Sequence, residues 1–316
     1  MAKHLIPEEE RYRGPVKWFQ YICARALISV LAHLPIRLTY RIGRGIGWCA
    51  WSLLVARRAV VRKNLTVVNS FLAARQKSGS STADACRSLT LEEQVKEVFK
   101  RSGANLLASF PLSRVSPERM GQHLEVEGFE HLRSALEQGR GAVMLLSHMG
   151  PWEVLTHLPQ IAAAHGVVAP LAAMYRPLNN TYLDQWIHRR RESVGTRLFS
   201  RRDGFHQPVD FIRAGGVLGI LADQKMRQGE RVSFFGVECK TSPIAGLFHR
   251  RSGAPMLAMS IETVGFAQWK LTVDFVDLTG VPEKPSREAL CLVCNQALER
   301  VLGRSPCDGF WLSKRF

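Results

Sequence analysis

Two runs in this chain, from Gly141 to Ser147 (GAVMLLS) and from Gly216 to Ala222 (GVLGILA), are apolar between their ends with no alternation. A strand with one face in water alternates polar and apolar residues. A short unbroken apolar run, read as a strand, needs both of its faces covered. Covered strands of this kind belong to parallel sheets packed between helices. The intervening segments fit that scheme. Pro151 to Ala164 reads as a helix, Val167 to Met174 as a strand, and Asn180 to Val194 and Phe205 to Ala214 as helices. Met256 to Thr263 and Gln268 to Val276 read as a late strand pair, and Ser286 to Leu302 as a closing helix. The expectation for residues 116–316 is therefore an α/β fold, a central, mostly parallel sheet flanked by helices.

Residues 1–115 have a different character. Between Arg11 and Ala83 there is no Asp or Glu, yet there are thirteen Lys or Arg residues in a chain whose net charge is +16. Such an excess calls for an anionic partner. These cations are interleaved with apolar runs bearing Trp18, Phe19, Trp48 and Trp51, and apolar residues recur at three and four from about 16 to 72. Basic side chains around Trp-bearing stripes suit helices lying in a lipid interface. Neither Lys17 to Leu34, broken by Arg25 and His33, nor Ile46 to Ala56 approaches the roughly 20 apolar residues a span requires. Met1 to Pro15 carries Glu8, Glu9 and Glu10 and does not resemble a signal peptide. The chain is expected to be monotopic on the cytoplasmic face of an inner membrane, with 1–115 as a helical membrane-associating region. The plainer alternative is a set of core-facing amphipathic helices with a basic outer face. Pro35, Gly43, Gly45 and Gly47 read as punctuation, Gln76 to Ala83 as a polar loop, and Leu91 to Leu112 as a further helix. No nucleic-acid-binding motif or aromatic platform accompanies the charge, so nucleic acid is not an expected partner.

Seven scattered cysteines, an odd number, suggest a reducing compartment and buried or free thiols. Cys291 and Cys294 have CxxC spacing, but within a helical pattern and with no second pair, so both are read as core-facing rather than as zinc ligands.

The chemistry centres on the sequence SHMGPWE, from Ser147 to Glu153. A covered strand ends at Ser147, and reactive groups in open α/β sheets gather beyond the carboxyl ends of strands. Gly150 and Pro151 allow a sharp turn into the next helix, after which Glu153 can fold back towards His148. An imidazole oriented by a carboxylate is a general base, able to ionise a hydroxyl for attack on a thioester, and N–H groups at the helix start suit an oxyanion. The spacing alone is unspecific, since His4 and Glu9 repeat it in the polar tail. Arg176, closing the next strand, is placed either to bind an anionic head group or to pair with Asp184. Arg189, Arg190 and Arg191 form a solvated face or a phosphate site, and Arg197, Arg201 and Arg202 with Asp203 extend the same basic zone. Asp223 and Gln224 follow the second covered strand. Asp223 can organise Arg176, bind a sugar hydroxyl or cap a turn. The chain has no GxSxG elbow, P-loop, dinucleotide fingerprint or HExxH motif.

With these residues in order, the chain resembles the late acyltransferases of lipid A biosynthesis within the lysophospholipid acyltransferase-like superfamily. The matching segments are RKNL at Arg62, HMGPWE at His148, YRP at Tyr175, ADQ at Ala222, FFG at Phe234 with Thr241, GAP at Gly253, and FWLSKRF from Phe310 to Phe316. The resemblance implies acyl transfer from acyl carrier protein or coenzyme A to a hydroxyl of a phosphorylated glucosamine disaccharide. It further implies His148 and Glu153 as the catalytic pair and Arg176 as essential. The residues themselves add the expectation that Arg176, Asp203, Asp223 and Gln224 are substrate-binding. No metal or prosthetic group is expected. Pro151 stands where the family usually has Asn or another polar residue, and related enzymes acylate phosphatidylinositol mannosides or other membrane lipids. A non-catalytic lipid-binding protein on the same fold is the rival reading.

Overall fold

The computed structural model describes residues 12–76, 85–200 and 204–316. Three helices come first, α1 (Pro15–Leu31), α2 (Ile36–Leu53) and α3 (Val55–Gln76), followed by α4 (Leu91–Leu112) and the short α5 (Pro117–Gly121). Then come β1 (Leu124–Glu127), α6 (Phe129–Glu137), β2 (Ala142–Leu146), α7 (Leu158–Ala164), β3 (Leu171–Tyr175), α8 (Thr181–Glu192), β4 (Thr196–Ser200), α9 (His206–Arg213) and β5 (Val217–Leu221). A hairpin of β6 (Glu230–Phe234) and β7 (Val237–Thr241) leads to α10 (Ile244–Ser252), β8 (Met256–Gly265), β9 (Gln268–Phe275) and α11 (Arg287–Arg304). The main sheet has the order β1-β9-β8-β2-β5-β3-β4 and is parallel except between β8 and β9.

The unbroken apolar run of β2 has the explanation its sequence suggests. Val143 and Leu145 point into one core, with Leu65 of α3, Phe99 of α4 and Leu298 of α11. Ala142, Met144 and Leu146 point into the other, with Tyr40 of α2, Leu158 of α7 and Trp269 of β9. Helix α4 serves both cores, through Val95, Val98 and Phe99 at one end and Ala104, Ala108 and Leu112 at the other. Thr90 begins it with a reciprocal capping box to Glu93, which satisfies otherwise orphan N–H groups. Helices of the first 115 residues thus share their buried surfaces with the sheet.

Three expectations need correction. Gly43, Gly45 and Gly47 do not break the chain but lie inside α2. A Cβ at Gly43 or Gly47 would collide with the backbone of Gly103 or Phe99 in α4, so these two glycines set how closely the helices approach. The segment after His148 is a 3₁₀ turn, Trp152–His157, before α7, rather than one continuous α-helix. Cys86 and Cys307 are joined in a disulfide instead of being free thiols, a pairing that a sequence separation of 221 conceals. Cys291 and Cys294 are buried on α11 as expected, and burial pushes both thiols up to about 12.

No helix among the described residues is long and apolar enough to cross a membrane. Helix α1 has no buried residue, and Val16, Phe19, Leu27 and Val30 are each at least 60% exposed. It rests on α8 through Tyr21 against Tyr182 and Trp186, and through Asn180 Nδ2 donating to the Lys17 carbonyl at 2.8 Å.

Paired substitutions test the glycine seam. Gly45 faces open space, so Gly45→Ala is expected to stabilise the protein by about 0.5–1 kcal/mol through helix propensity. Gly47→Ala forces two backbones apart and is expected to destabilise by roughly 1–3 kcal/mol. Urea unfolding of both variants measures the difference.

Candidate active site

Strands β2 and β5 are hydrogen-bonded neighbours in parallel register, with Leu146 opposite Leu221. Two residues beyond each partner stand His148 and Asp223. The His148 backbone N–H donates to Asp223 Oδ2 at 3.1 Å, and His148 Nδ1 lies 2.7 Å from Asp223 Oδ1. One carboxylate therefore grips both the main chain and the ring. Its side chain is 5% exposed against 25% for the imidazole, so the carboxylate lies behind the ring.

With Nδ1–H donated to Asp223, the neutral imidazole has its lone pair on Nε2, which has no hydrogen-bond partner among the described residues. Burial disfavours the charged ring. It is outweighed by the hydrogen bond and charge of Asp223, with a further contribution from Glu153, so the His148 pKa is raised above the ordinary histidine value. An imidazole held in this way can accept a proton from a hydroxyl and store the resulting charge.

The carboxyl-terminal segment locks the pair in place. Ser313 Oγ donates to Gln224 Oε1 at 2.7 Å, and this fixes the Gln224 amide so that its Nε2 donates to Asp223 Oδ2 at 3.0 Å. Asn64 on α3 donates to the carbonyls of Trp311 and Ser313, both at 2.9 Å. On the other side of the loop, the Phe310 N–H donates to the His148 carbonyl and the Gly150 N–H to the Asp308 carbonyl. Asp308 is buried and accepts from Arg101, Ser305, Asn105 and both the N–H and hydroxyl of Thr263. Gly150 has φ +59°, and a Cβ there would strike the Ile261 carbonyl, so only glycine fits the turn.

The sequence-level site residues are distributed differently from expectation. Glu153 does not hydrogen-bond His148. Its two carboxylate oxygens accept from Arg191 Nη2 at 3.1 and 2.9 Å, because the 3₁₀ turn and α8 bring these side chains together. It acts on the imidazole through its charge alone. The contact expected from Glu153 is made by Asp223, a residue 75 positions away from His148. Arg176 is exposed at the end of β3 and does not pair with Asp184, which instead accepts from the Tyr175 hydroxyl and the Leu178 N–H. Asp203 lies outside the described residues, as do Arg201 and Arg202. Asn64, Asp308 and Ser313 were not singled out as site residues, although the segments bearing Asn64 and Ser313 contributed to the resemblance. No group of three or more metal-ligating side chains occurs among the described residues.

Beside the pair lies an apolar groove of 450 Å³, walled by Ile46 of α2, Leu54 between α2 and α3, Phe99 and Leu106 of α4, and Trp152 and Phe310. The rings of Trp152 and Phe310 lie 5.5 and 6.4 Å from the His148 ring, which puts the imidazole at the groove's edge.

Residues 6–316 match the family described as bacterial lipid A biosynthesis acyltransferase. The chain is 24% identical over 288 residues to the lipid A biosynthesis palmitoleoyltransferase of Escherichia coli (strain K12), covering 90% of this chain and 86% of that one. It is 21% identical over 309 residues to the lipid A biosynthesis lauroyltransferase of the same organism, covering 96% and 92%. A phosphatidylinositol mannoside acyltransferase of Mycolicibacterium smegmatis is 28% identical over 137 residues, 40% of this chain and 42% of that one.

The electrostatics predict a titration. By NMR, the His148 ring should protonate with a midpoint above 6.5. Asp223→Asn leaves burial to dominate and should bring the midpoint below 6.5. Glu153→Gln should lower it by less, since only a charge at longer range is lost.

Proposed function

The chain belongs to the bacterial lipid A biosynthesis acyltransferase family, and from that premise we propose that it transfers a fatty-acyl chain from an acyl carrier protein or coenzyme A thioester to a hydroxyl of a lipid A precursor or related glycolipid. The observation that carries the reading is an Asp-backed imidazole with an open Nε2 at the edge of an apolar groove. The acceptor hydroxyl gives its proton to His148 Nε2 as its oxygen attacks the thioester carbonyl. The carbon–sulfur bond then breaks, and the leaving sulfur takes the proton from the imidazolium, which restores the neutral ring. Attack is direct, without an acyl-enzyme. Asp223 fixes the tautomer and stabilises the transient cation. Glu153 adds negative potential and orients Arg191, and Arg176 positions the head group.

The groove takes the acyl chain. Its wall residues Ile46 and Leu54 are themselves about half exposed, as are Trp18 and Trp48. This continuity supports a membrane-seated role for residues 1–115. The apolar faces of α1 and α2 lie in the lipid interface of the inner membrane at its cytoplasmic face, and residues 116–316 form the acyltransferase domain. A chain drawn from the bilayer then reaches His148 without crossing water. The partial similarity to a phosphatidylinositol mannoside acyltransferase supports a second reading, in which the acceptor is a mannoside-bearing lipid.

Mass spectrometry of total lipid and lipid A from cells with and without the gene names the acceptor. Loss of one acyl group from lipid A is expected, whereas unchanged lipid A with an altered mannolipid selects the second reading. His148→Ala, folded by circular dichroism, should lose at least a hundredfold in rate, as expected for removal of a general base. A folded variant with full transfer refutes the assignment. Leu106→Trp, which fills part of the groove, should shift the transferred chain towards shorter lengths in the same spectra.

A further inference from the structure

Beyond the carboxyl ends of β3 and β5 a second cavity opens, with a volume of 900 Å³. Its lining includes Arg176, Lys225, Arg227 and Arg287, against one lining carboxylate, that of Glu230, among the described residues. Arg176, Lys225, Arg227 and Arg287 are all exposed at the cavity surface. The four cavity cations form no ion pair among the described residues. The fully exposed Glu288 carboxyl is held below its ordinary pKa first by its own backbone N–H and by Ser286, with smaller contributions from Glu230 and from the charge of Arg287. Four cations around one concavity give it a positive potential, which favours an anionic ligand.

Its construction narrows the ligand. The loop bearing Lys225 and Arg227 is anchored by Lys240 Nζ, which donates to the Arg227 carbonyl at 3.0 Å. It is pinned again at Gly229, φ +143°, packed against the Thr241 backbone. Met174, Phe205 and Phe248 supply apolar surface, which suits an organic ligand better than a free ion. Three guanidinium groups favour a ligand with several coplanar pairs of acceptor oxygens, as a phosphate ester presents. Lys225 follows Asp223 by two residues, about 7 Å of chain at most. The cavity's lysine thus lies close along the chain to the carboxylate that holds His148.

We propose that this cavity is a phosphate-ester subsite in which Lys225, Arg227 and Arg287, together with Arg176, grip a phosphate of one of the two transfer substrates. The assignment rests on the acyl-transfer reading for the identity of those substrates, but not for the binding itself. The phosphate belongs either to the acceptor's head group or to the phosphopantetheine arm of the donor.

The test uses the full chain in detergent micelles and the variant Lys225→Gln/Arg227→Gln/Arg287→Gln, with Arg119→Gln, an exposed cation on α5, as the control. Titration with inorganic phosphate by calorimetry should show binding to the parent and to the control, weakened at least tenfold in the triple variant. Equal affinity in all three proteins overturns the subsite, whatever the chain acylates. Absence of acyl transfer with every donor would remove the acyl-transfer reading while leaving this titration to be judged alone. Kinetics then identify the source. If the donor supplies the phosphate, KM in the parent rises when acyl-coenzyme A is replaced by an acyl-N-acetylcysteamine thioester, and the triple variant loses that discrimination. If the acceptor supplies it, the discrimination lost is between phosphorylated and dephosphorylated glycolipid. A triple variant that keeps both discriminations overturns the proposal.

Discussion

The parallel register that sets Leu146 opposite Leu221 is the constraint from which the site's geometry follows. Backbone hydrogen bonds hold the two strands at a fixed spacing, and equal two-residue extensions deliver His148 and Asp223 to the same height above the sheet. A slip of one residue would invert the alternation of β2, exchanging the Val143–Leu145 and Met144–Leu146 faces between two filled cores. The packing that stabilises the sheet therefore also fixes the distance between imidazole and carboxylate. Precision at the site comes from regular structure, not from the loops that bear the residues.

Around that pair, the remaining polar groups form two clamps. One runs from Asn64 to the last turn of chain and through Ser313 and Gln224 to Asp223. The other is centred on Asp308, whose buried carboxylate would be costly without partners and instead receives donors from α4, β8 and its own turn. From this turn the backbone bonds directly to the His148 loop. Distant segments thus converge on one imidazole, which limits the reorganisation needed when its charge changes. An apolar groove lies beside the imidazole, and a cavity lined by four cations opens beyond the carboxyl ends of β3 and β5.

Long periodic features could be read directly from the residues. The helix read from Leu91 to Leu112 is α4 itself, and β2 and β5 follow from unbroken apolar runs. Short elements could not. β1 has four residues and β4 five, too few for a period to emerge, and the β6–β7 hairpin is mixed in character. The glycines of α2 read as breakers because a residue without a side chain carries no record of the backbone packed against it.

By itself, the sequence determined the class of fold, the family, the basic apolar helices at the start and the histidine at a strand end. Each of these is written in local pattern, in contiguous hydrophobicity or in motif order. Only the tertiary structure decided which carboxylate serves His148. Spacing pointed to Glu153, five residues along, but Arg191 occupies that side chain, and the ring turns to Asp223 across the sheet. Strand pairing between residues 75 positions apart leaves no periodic trace in a single chain, and it became visible only when the register between β2 and β5 was known.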